Sequence, residues 1–272
     1  MYQLVLPNLL RHGVIQGIVL HFLLHKEHLS RYNCSFGNFD DELPQRTIYL
    51  DAFWIDEYEV TNEQFAAFVA ATGYTTTAET VGNSAVLRDM RPNIGTEPVV
   101  GATWRQPEGP GSNLTERASE PVTHISWDDA HAYCAWRNAR LPTEAEWEKA
   151  ARGVRGNRFP WGNTWDTGRT RSTVEIAPRA APVGSYPEGR SPYGVHDMLG
   201  NVAEWVADWY HPEYYHTAPE RNPEGADGSS LARSYRGGSW GTRPGFLHAT
   251  WRSSAVLTTT NNLLGFRCAH SP

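Results

Sequence analysis

Cysteine is scarce in this chain of 272 residues, which contains only Cys34, Cys134 and Cys268. Three cysteines so far apart are too few for a small disulfide scaffold, and none of them belongs to a Cys-x-x-Cys pair. The most informative gap lies between Gly238 and Gly265, where the sequence SWGTRPGFLHATWRSSAVLTTTNNLL has no cysteine. Chemistry that needs a close pair of thiolates is therefore not expected from this part of the chain.

Long hydrophobic runs are also missing. Residues 13–24 form the only apolar run, and it is shorter than the roughly 20 residues that a membrane helix needs. The run could be the core of a secretory signal, but no small-residue cleavage site clearly follows it. Two glycosylation sequons, at Asn33 and Asn113, are a pattern common by chance. We predict a soluble protein without a membrane span; the sequence leaves the compartment unknown and export open.

A concentrated basic surface is absent as well. The net charge is −6, and the 24 Lys and Arg residues are scattered along the chain. Nucleic acid is therefore not an expected partner. The chain instead has 11 Trp, 24 Gly and 18 Pro with only 20% charged residues. This composition indicates a compact domain rich in loops and turns, in which aromatic side chains fill the space that regular elements leave open.

The domain organisation follows from a change in residue composition and pattern along the chain. Residues 1–37 are rich in His and Leu and lack turn residues, whereas strand-like patterns begin at Thr47–Leu50 and Phe53–Asp56. We predict an N-terminal segment of unclear structure over residues 1–37. A single domain over residues 38–272 is long enough to bury a sizeable core.

Three helices can be predicted from their capping residues. Helices are expected to begin after Thr61, Ser126 and Thr143, because each hydroxyl residue is followed three positions later by Gln64, Asp129 or Glu146. The first should end at Gly73 and the third at Gly153, since glycine suits the left-handed position after a helix. After Gly153 the sequence is rich in Gly, Pro and aromatics, which is typical of turns and short strands.

Ordered blocks rich in Trp, Gly and Arg carry a resemblance to a known family. The blocks are DEYEVTN (56–62), GATWRQPEGP (101–110), PVTHISW (121–127), RLPTEAEWE (140–148), FPWG (159–162), GNVAEW (200–205), RGGSW (236–240) and GFRC (265–268). Over about residues 40–270 the chain resembles the formylglycine-generating enzyme (sulfatase-modifying factor) family. The resemblance implies an α+β fold related to that of C-type lectins, with short mixed strands, few helices and much irregular structure.

The resemblance also implies a chemistry that this chain does not carry. Enzymes of the family hold copper with two cysteine thiolates and oxidise a cysteine in a sulfatase peptide to formylglycine. Soft thiolates suit Cu(I), and the positions that could correspond to them here are Pro244, Leu247, Ala249 and Arg252. None of these binds copper through sulfur, and His248 could supply only a single nitrogen. We therefore do not expect copper as a cofactor, and whether the chain is an enzyme stays open.

Two further features come from the resemblance. Leu199, Gly200, Val202 and Glu204 match a structural calcium site of the family, and backbone carbonyls closed by a carboxylate suit this hard cation. A second family site, near residues 171–185, is not expected, because Arg171, Ser172 and Arg179 replace oxygen-rich positions. Cys134 and Cys268 match a family disulfide, which we expect if the protein is exported; in a reducing cytosol two free thiols are the default.

Two other sets of residues are candidates for function. His21, His25 and Glu27 have the spacing of a non-haem iron motif, which ergothioneine-type sulfoxide synthases carry on a separate helical domain. Such a pattern arises easily by chance in a His-rich stretch, so iron is not an expected cofactor. The other set is a candidate ligand cleft formed by Trp240, His248, Trp251 and Arg252, of which Trp251 and Arg252 are expected to be exposed.

The sequence therefore leaves three alternative functions open. The first is a sulfatase-modifying-factor homologue that binds a cysteine-containing peptide or a sulfatase, with impaired catalysis. The second is a non-catalytic, lectin-like module that binds another protein or a small ligand through the segment between RGGSW and GFRC. The third is a fragment of an iron-dependent sulfoxide synthase.

Overall fold

The computed structural model describes residues 12–15, 20–21, 39–88, 95–172, 178–228 and 230–271. Within these ranges the helices are α1 (Asn62–Thr72), α2 (Thr77–Val81), α3 (Trp127–Trp136), α4 (Glu144–Arg152) and α5 (Tyr214–Thr217). The strands are β1 (His12–Ile15), β2 (Leu20–His21), β3 (Thr47–Ile48), β4 (Phe53–Asp56), β5 (Asn83–Val86), β6 (Glu97–Val100), β7 (Ala203–Trp209), β8 (Ala232–Arg236), β9 (Ser253–Val256), β10 (Leu264–Phe266) and β11 (Ala269–His270).

The helix starts follow the capping chemistry that the sequence predicts. Each of α1, α3 and α4 begins with a complete capping box, in which the hydroxyl of Thr61, Ser126 or Thr143 accepts from the backbone N–H three residues later. Helix α1 ends at Gly73, whose φ of +69° is left-handed. All three predicted helices are therefore confirmed. Helix α2, which begins with a fourth capping box at Thr76, was not predicted.

The strands are short and combine parallel with antiparallel pairing. The largest sheet has the order β10-β7-β8-β9, in which β10 runs parallel to β7 and the other two pairs are antiparallel. A second sheet has the order β1-β4-β11, and β2-β3 and β5-β6 are separate antiparallel pairs. Strand β7 has a partner on each side in the largest sheet, and residues 196–202, which lead into it, are buried. The predicted α+β class is confirmed.

The N-terminal strands join sheets of the main domain. Strand β1 pairs with β4, with His12 opposite Asp56, and β2 pairs with β3, with Leu20 opposite Ile48. The boundary at residues 37 and 38 stays a prediction. Of the suggested iron motif, His21 lies in β2, whereas His25 and Glu27 lie outside the described residues.

Aromatic side chains fill the core, as the composition predicts. One cluster surrounds Trp147, and a second surrounds Phe65, whose ring centroid lies 5.2 Å from that of Trp104 and 5.7 Å from that of Tyr133. The disulfide Cys134–Cys268 lies in the second cluster and joins α3 to the end of the chain, with the two Cα atoms 5.7 Å apart. Both cysteines of the predicted domain are therefore bonded to each other. No helix in the described part of the chain is long and apolar enough to cross a membrane.

Candidate functional site

Two of the sequence blocks meet through a buried ion pair between Glu204 and Arg267. Glu204 lies in GNVAEW on β7, and Arg267 follows β10 in GFRC. The Arg267 guanidinium donates to both Glu204 carboxylate oxygens, with N–O distances of 2.7 and 2.8 Å. It also donates to the backbone carbonyls of Asp56, Glu57 and His196. Both side chains are inaccessible to solvent, so this pair ties the end of β4 and the segment at His196 to β7.

A second buried network joins helix α4 to strand β8. Glu144 and Glu148 lie one turn apart on α4, and Arg236 at the end of β8 donates to both, at 3.2 and 2.7 Å. Arg152 completes the row by donating to Glu148 at 2.6 Å. Because each carboxylate faces a guanidinium, the charges of this helix can be buried without leaving any of them alone. The network holds α4 against the largest sheet.

Arg252 belongs to the same network, and the prediction that it is exposed is wrong. Its guanidinium donates to both carboxylate oxygens of Glu144, at 2.8 and 3.0 Å, and only 4% of the residue is accessible. It also lies 4.2 Å from the ring of Tyr215. The buried Glu144 carboxylate attracts Arg252 inward, and the attraction raises the pKa of the arginine despite its burial. No local sequence pattern indicates this pairing, since Glu144 is 108 residues away.

The four residues of the predicted cleft do not line one open surface. Trp240 is buried and donates its indole N–H to the Asn262 carbonyl at 3.2 Å. His248 is buried as well, and Trp251 is the one member of the four that keeps substantial exposure. Trp240 therefore fills the core. The structure separates the proposed cleft into a buried tryptophan, a charged network and the surroundings of His248.

His248 makes a close contact with a residue that the sequence analysis did not single out. Its Nε2 lies 2.8 Å from one carboxylate oxygen of Glu42, and the Thr250 hydroxyl donates to the other oxygen at 2.6 Å. Burial raises the pKa of Glu42, but the hydrogen bonds from His248 and Thr250 outweigh burial and hold that pKa below its ordinary value. Glu42 lies outside every block of the family resemblance, and nothing in its local sequence indicates that it pairs with His248.

Three half-buried aromatic rings form a chain of contacts that begins at His248. The Phe39 ring meets the His248 ring edge-on at 5.2 Å between centroids, and Phe246 lies 6.0 Å from Phe39. Trp251 lies 6.1 Å from Phe246. We call Glu42 and His248 the dyad, and Phe39, Phe246 and Trp251 its aromatic wall.

The segment that replaces the family's cysteines is tightly packed. Of the four positions considered, Leu247, Ala249 and Arg252 are buried, and Pro244 begins a 3₁₀ turn, Pro244–Phe246. Leu247 also packs against Gly238: a Cβ on this glycine would lie 2.7 Å from a Leu247 methyl carbon. The side chains of Leu247 and Ala249 carry no ligand atoms for a metal ion.

The predicted calcium residues lie at the entrance to β7. Gly200 has a φ of +78°, and a Cβ there would collide with the Arg171 carbonyl, so the turn needs glycine. The Leu199 carbonyl accepts from the Thr170 hydroxyl, and the Glu204 carboxylate accepts from Arg267 and from the Trp147 indole at 2.8 Å. The carboxylate assigned to calcium is therefore already neutralised.

Two further buried carboxylates lie near Glu204. Burial raises the pKa of Asp197 to about 6, and burial together with Asp197 raises that of Glu59 well above its ordinary value. One oxygen of Glu59 has no hydrogen-bond partner within the part of the chain that the structure describes. Three buried carboxyl groups thus lie near one guanidinium, and the raised pKa values show that the charged forms of Asp197 and Glu59 are disfavoured there. No three acidic, His or Cys side chains among the described residues are grouped closely enough to bind a metal by themselves.

The fold and the paired blocks define a sulfatase-modifying-factor-like α+β domain. The family described as "Sulfatase-modifying factor enzyme 1-like domain" matches residues 29–272. The chain belongs to this family, that of the formylglycine-generating enzymes.

Relatives include proteins named as formylglycine-generating enzymes and proteins named as inactive. The chain is 41% identical to the formylglycine-generating enzyme of Streptomyces coelicolor over 262 residues, covering 85% of this chain and 82% of the relative. It is 38% identical to the inactive C-alpha-formylglycine-generating enzyme 2 of Mus musculus over 260 residues, with coverages of 85% and 79%. The solved structure of PvdO from Pseudomonas aeruginosa shares the fold, with a TM-score of 0.71, 24% identity and coverages of 95% and 93%.

Proposed function

We propose that this chain is a non-oxidising member of its family, which binds a cysteine-containing peptide or a sulfatase without converting the cysteine to formylglycine. One observation carries the proposal. The two cysteines of the domain, Cys134 and Cys268, are joined in a disulfide, and the segment 239–264 has none. The domain therefore has no thiolate pair for Cu(I). The similarity to a mouse protein named as inactive supports such a role.

Copper binding tests this proposal directly. The oxidised protein, with Cys34 replaced by serine (Cys34→Ser) to remove the remaining thiol, is titrated anaerobically against a coloured Cu(I) chelator. The chelator is expected to keep all of the copper, whereas the Streptomyces coelicolor relative should withdraw it. Transfer of a full equivalent of Cu(I) to the Cys34→Ser protein would contradict the proposal.

We propose further that calcium binds at the entrance to β7, with Asp197 as its carboxylate and the carbonyls of Leu199, Gly200 and Val202 beside it. Glu204 already accepts from Arg267 and Trp147, whereas Asp197, two residues before Leu199, is a buried carboxyl with a raised pKa, which supports this choice. The ion would be structural, since it would neutralise buried carboxylates that otherwise must take up protons.

Calcium is expected to stabilise the protein by mass action. A calcium concentration 100 times the dissociation constant should add about 2.7 kcal/mol to the free energy of unfolding, measured by urea denaturation with calcium or with EDTA. Asp197→Asn should abolish this response. The matched variant Asp166→Asn, on an exposed loop, should keep it. Equal stability of the unmodified protein in calcium and EDTA would refute the calcium site.

A further inference from the structure

We propose that the dyad of Glu42 and His248 binds a neutral hydrogen-bond donor carried on an aromatic ring, such as a phenol. This inference rests on the proposed function, because it assigns a ligand class to the segment that replaces the copper-binding cysteines. It depends on three observations: the orientation of the His248 ring, the unpartnered second nitrogen of that ring, and the aromatic wall.

The Glu42 carboxylate determines which nitrogen of His248 carries the proton. An ionised carboxylate only accepts hydrogen bonds, so the Nε2 that lies 2.8 Å from Glu42 must donate. A neutral imidazole that donates from Nε2 has a lone pair on Nδ1. The other oxygen of Glu42 accepts from Thr250, so a ring flip or a rotation of the carboxylate would break at least one of these bonds.

The lone pair on Nδ1 has no partner. Only 6% of the His248 side chain is accessible, and Nδ1 has no hydrogen-bond partner within the part of the chain that the structure describes. Buried acceptors of this kind are rare in folded proteins, and leaving one unsatisfied is costly. A ligand that donates one O–H or N–H to Nδ1 would remove that cost.

The surroundings of the dyad favour an aromatic ligand. Phe39 and Phe246 contact each other, Phe39 contacts the His248 ring, and Trp251 extends the wall beyond Phe246. All three rings of the wall are only half-buried, so they offer apolar surface to another ring. Edge-to-face and offset contacts with these rings would hold a flat ligand. An anionic ligand is disfavoured, because it would lie close to the ionised carboxylate of Glu42.

The dyad is held in place before any ligand arrives. The carbonyl of Asp41 accepts from Arg252 at 2.8 Å, which ties the turn Asp40–Glu42 to the buried network of Glu144. Residues 206 positions apart therefore meet with a fixed geometry. Such support by a second layer of contacts is what a preorganised binding site requires.

Nuclear magnetic resonance of the full chain labelled with ¹⁵N-histidine tests the proposal, with p-cresol as the probe and toluene as its control without a hydroxyl. Long-range ¹H–¹⁵N spectra of the free protein at pH 7 should show His248 protonated at Nε2 only. Addition of p-cresol should shift the Nδ1 resonance of His248 in a saturable way. Toluene should leave Nδ1 unshifted and bind about fivefold more weakly, since it lacks one hydrogen bond.

Three variants distinguish ligand binding by the dyad from nonspecific binding to an aromatic surface. His248→Phe keeps a ring but removes the acceptor, so p-cresol and toluene should then bind equally. Glu42→Gln should weaken p-cresol binding, because the amide no longer enforces the Nε2 proton. His131→Phe, which replaces an exposed histidine stacked on Trp127, should change nothing. Circular dichroism is used to check that each variant is folded.

Several results would overturn the inference. They are an Nδ1-protonated His248, no saturable response to p-cresol, or equal binding of p-cresol and toluene to the unmodified protein; the last two would mean that a trapped water satisfies Nδ1. The copper titration is independent of these outcomes. A p-cresol response together with tight Cu(I) binding would refute only the proposed function. No p-cresol response together with no Cu(I) binding would refute only the ligand site proposed at the dyad.

Discussion

Replacement of Arg267 by methionine is expected to lower the free energy of unfolding by about 4 kcal/mol or more, because it leaves buried charge without a partner. The guanidinium neutralises Glu204 and donates to three backbone carbonyls. Without it, Glu204, Asp197 and Glu59 would share one buried region with no cation. The carboxylates would then take up protons, so the loss should be larger at pH 8 than at pH 5.

Urea denaturation of four proteins measures this effect. The double variant Arg267→Met with Glu204→Gln should recover part of the loss, because the unpaired carboxylate is removed as well. The control is Arg105→Met: Arg105 pairs with Glu79 at 3.2 Å while half of its side chain is exposed, and it should lose no more than about 1 kcal/mol. If Arg267→Met lowers the free energy of unfolding no more than Arg105→Met does, the ion pair between Arg267 and Glu204 does not hold the fold together.

Replacement of Arg236 by methionine is expected to cost about 3–5 kcal/mol. Arg236 is fully buried and donates to Glu144, to Glu148 and to the carbonyls of Ala249 and Thr250. The two glutamates keep Arg252 and Arg152, but the carbonyls at the start of the His248 region lose their donor. The variant should therefore lose stability and also loosen the dyad.

The tautomer of His248 provides a second measurement on the Arg236→Met variant. Even where the variant is folded, its His248 spectrum should show a mixture of tautomers, because Thr250 no longer has a fixed backbone. The matched control is again Arg105→Met, which should keep the Nε2 tautomer. An Arg236→Met protein that unfolds at the same urea concentration as the unmodified protein would contradict the assigned role of the network.

The helix starts could be predicted because they depend on residues that are close together in sequence. Thr61, Ser126 and Thr143 were correctly predicted as helix caps, since a capping box depends on residues three positions apart. Helix α2 was missed because it is only five residues long. Sheet order could not be predicted either, because pairing such as that of β10 with β7 depends on contacts across the chain.

The site was harder to predict than the fold. Arg252 is expected at the surface from the sequence because it lies in the segment that carries the family's active site, but its buried partner Glu144 is remote in sequence. Glu42 was missed altogether, because a single glutamate outside the family blocks carries no periodic or motif signal. Local sequence identified His248 as a candidate, but only the structure shows what orients its ring.

The buried ion pairs give several of the family blocks a role in holding the fold together. Glu204 and Arg267 come from two of the blocks, and Glu148 and Arg236 come from two others. These residues hold loops, helix α4 and the largest sheet together. The segment between RGGSW and GFRC also packs into that framework, but it contributes the dyad rather than thiolates. The framework therefore does not require the copper site.

Conversion of a peptide cysteine to formylglycine is the most direct measurement of the central claim. The protein, supplied with Cu(I) and oxygen, is incubated with a cysteine-containing sulfatase peptide, and the aldehyde is quantified by mass spectrometry against the Streptomyces coelicolor relative. Absence of thiolate ligands predicts no aldehyde above the level with copper alone, while the relative converts the peptide. Copper-dependent turnover of many peptides per protein molecule would contradict the account.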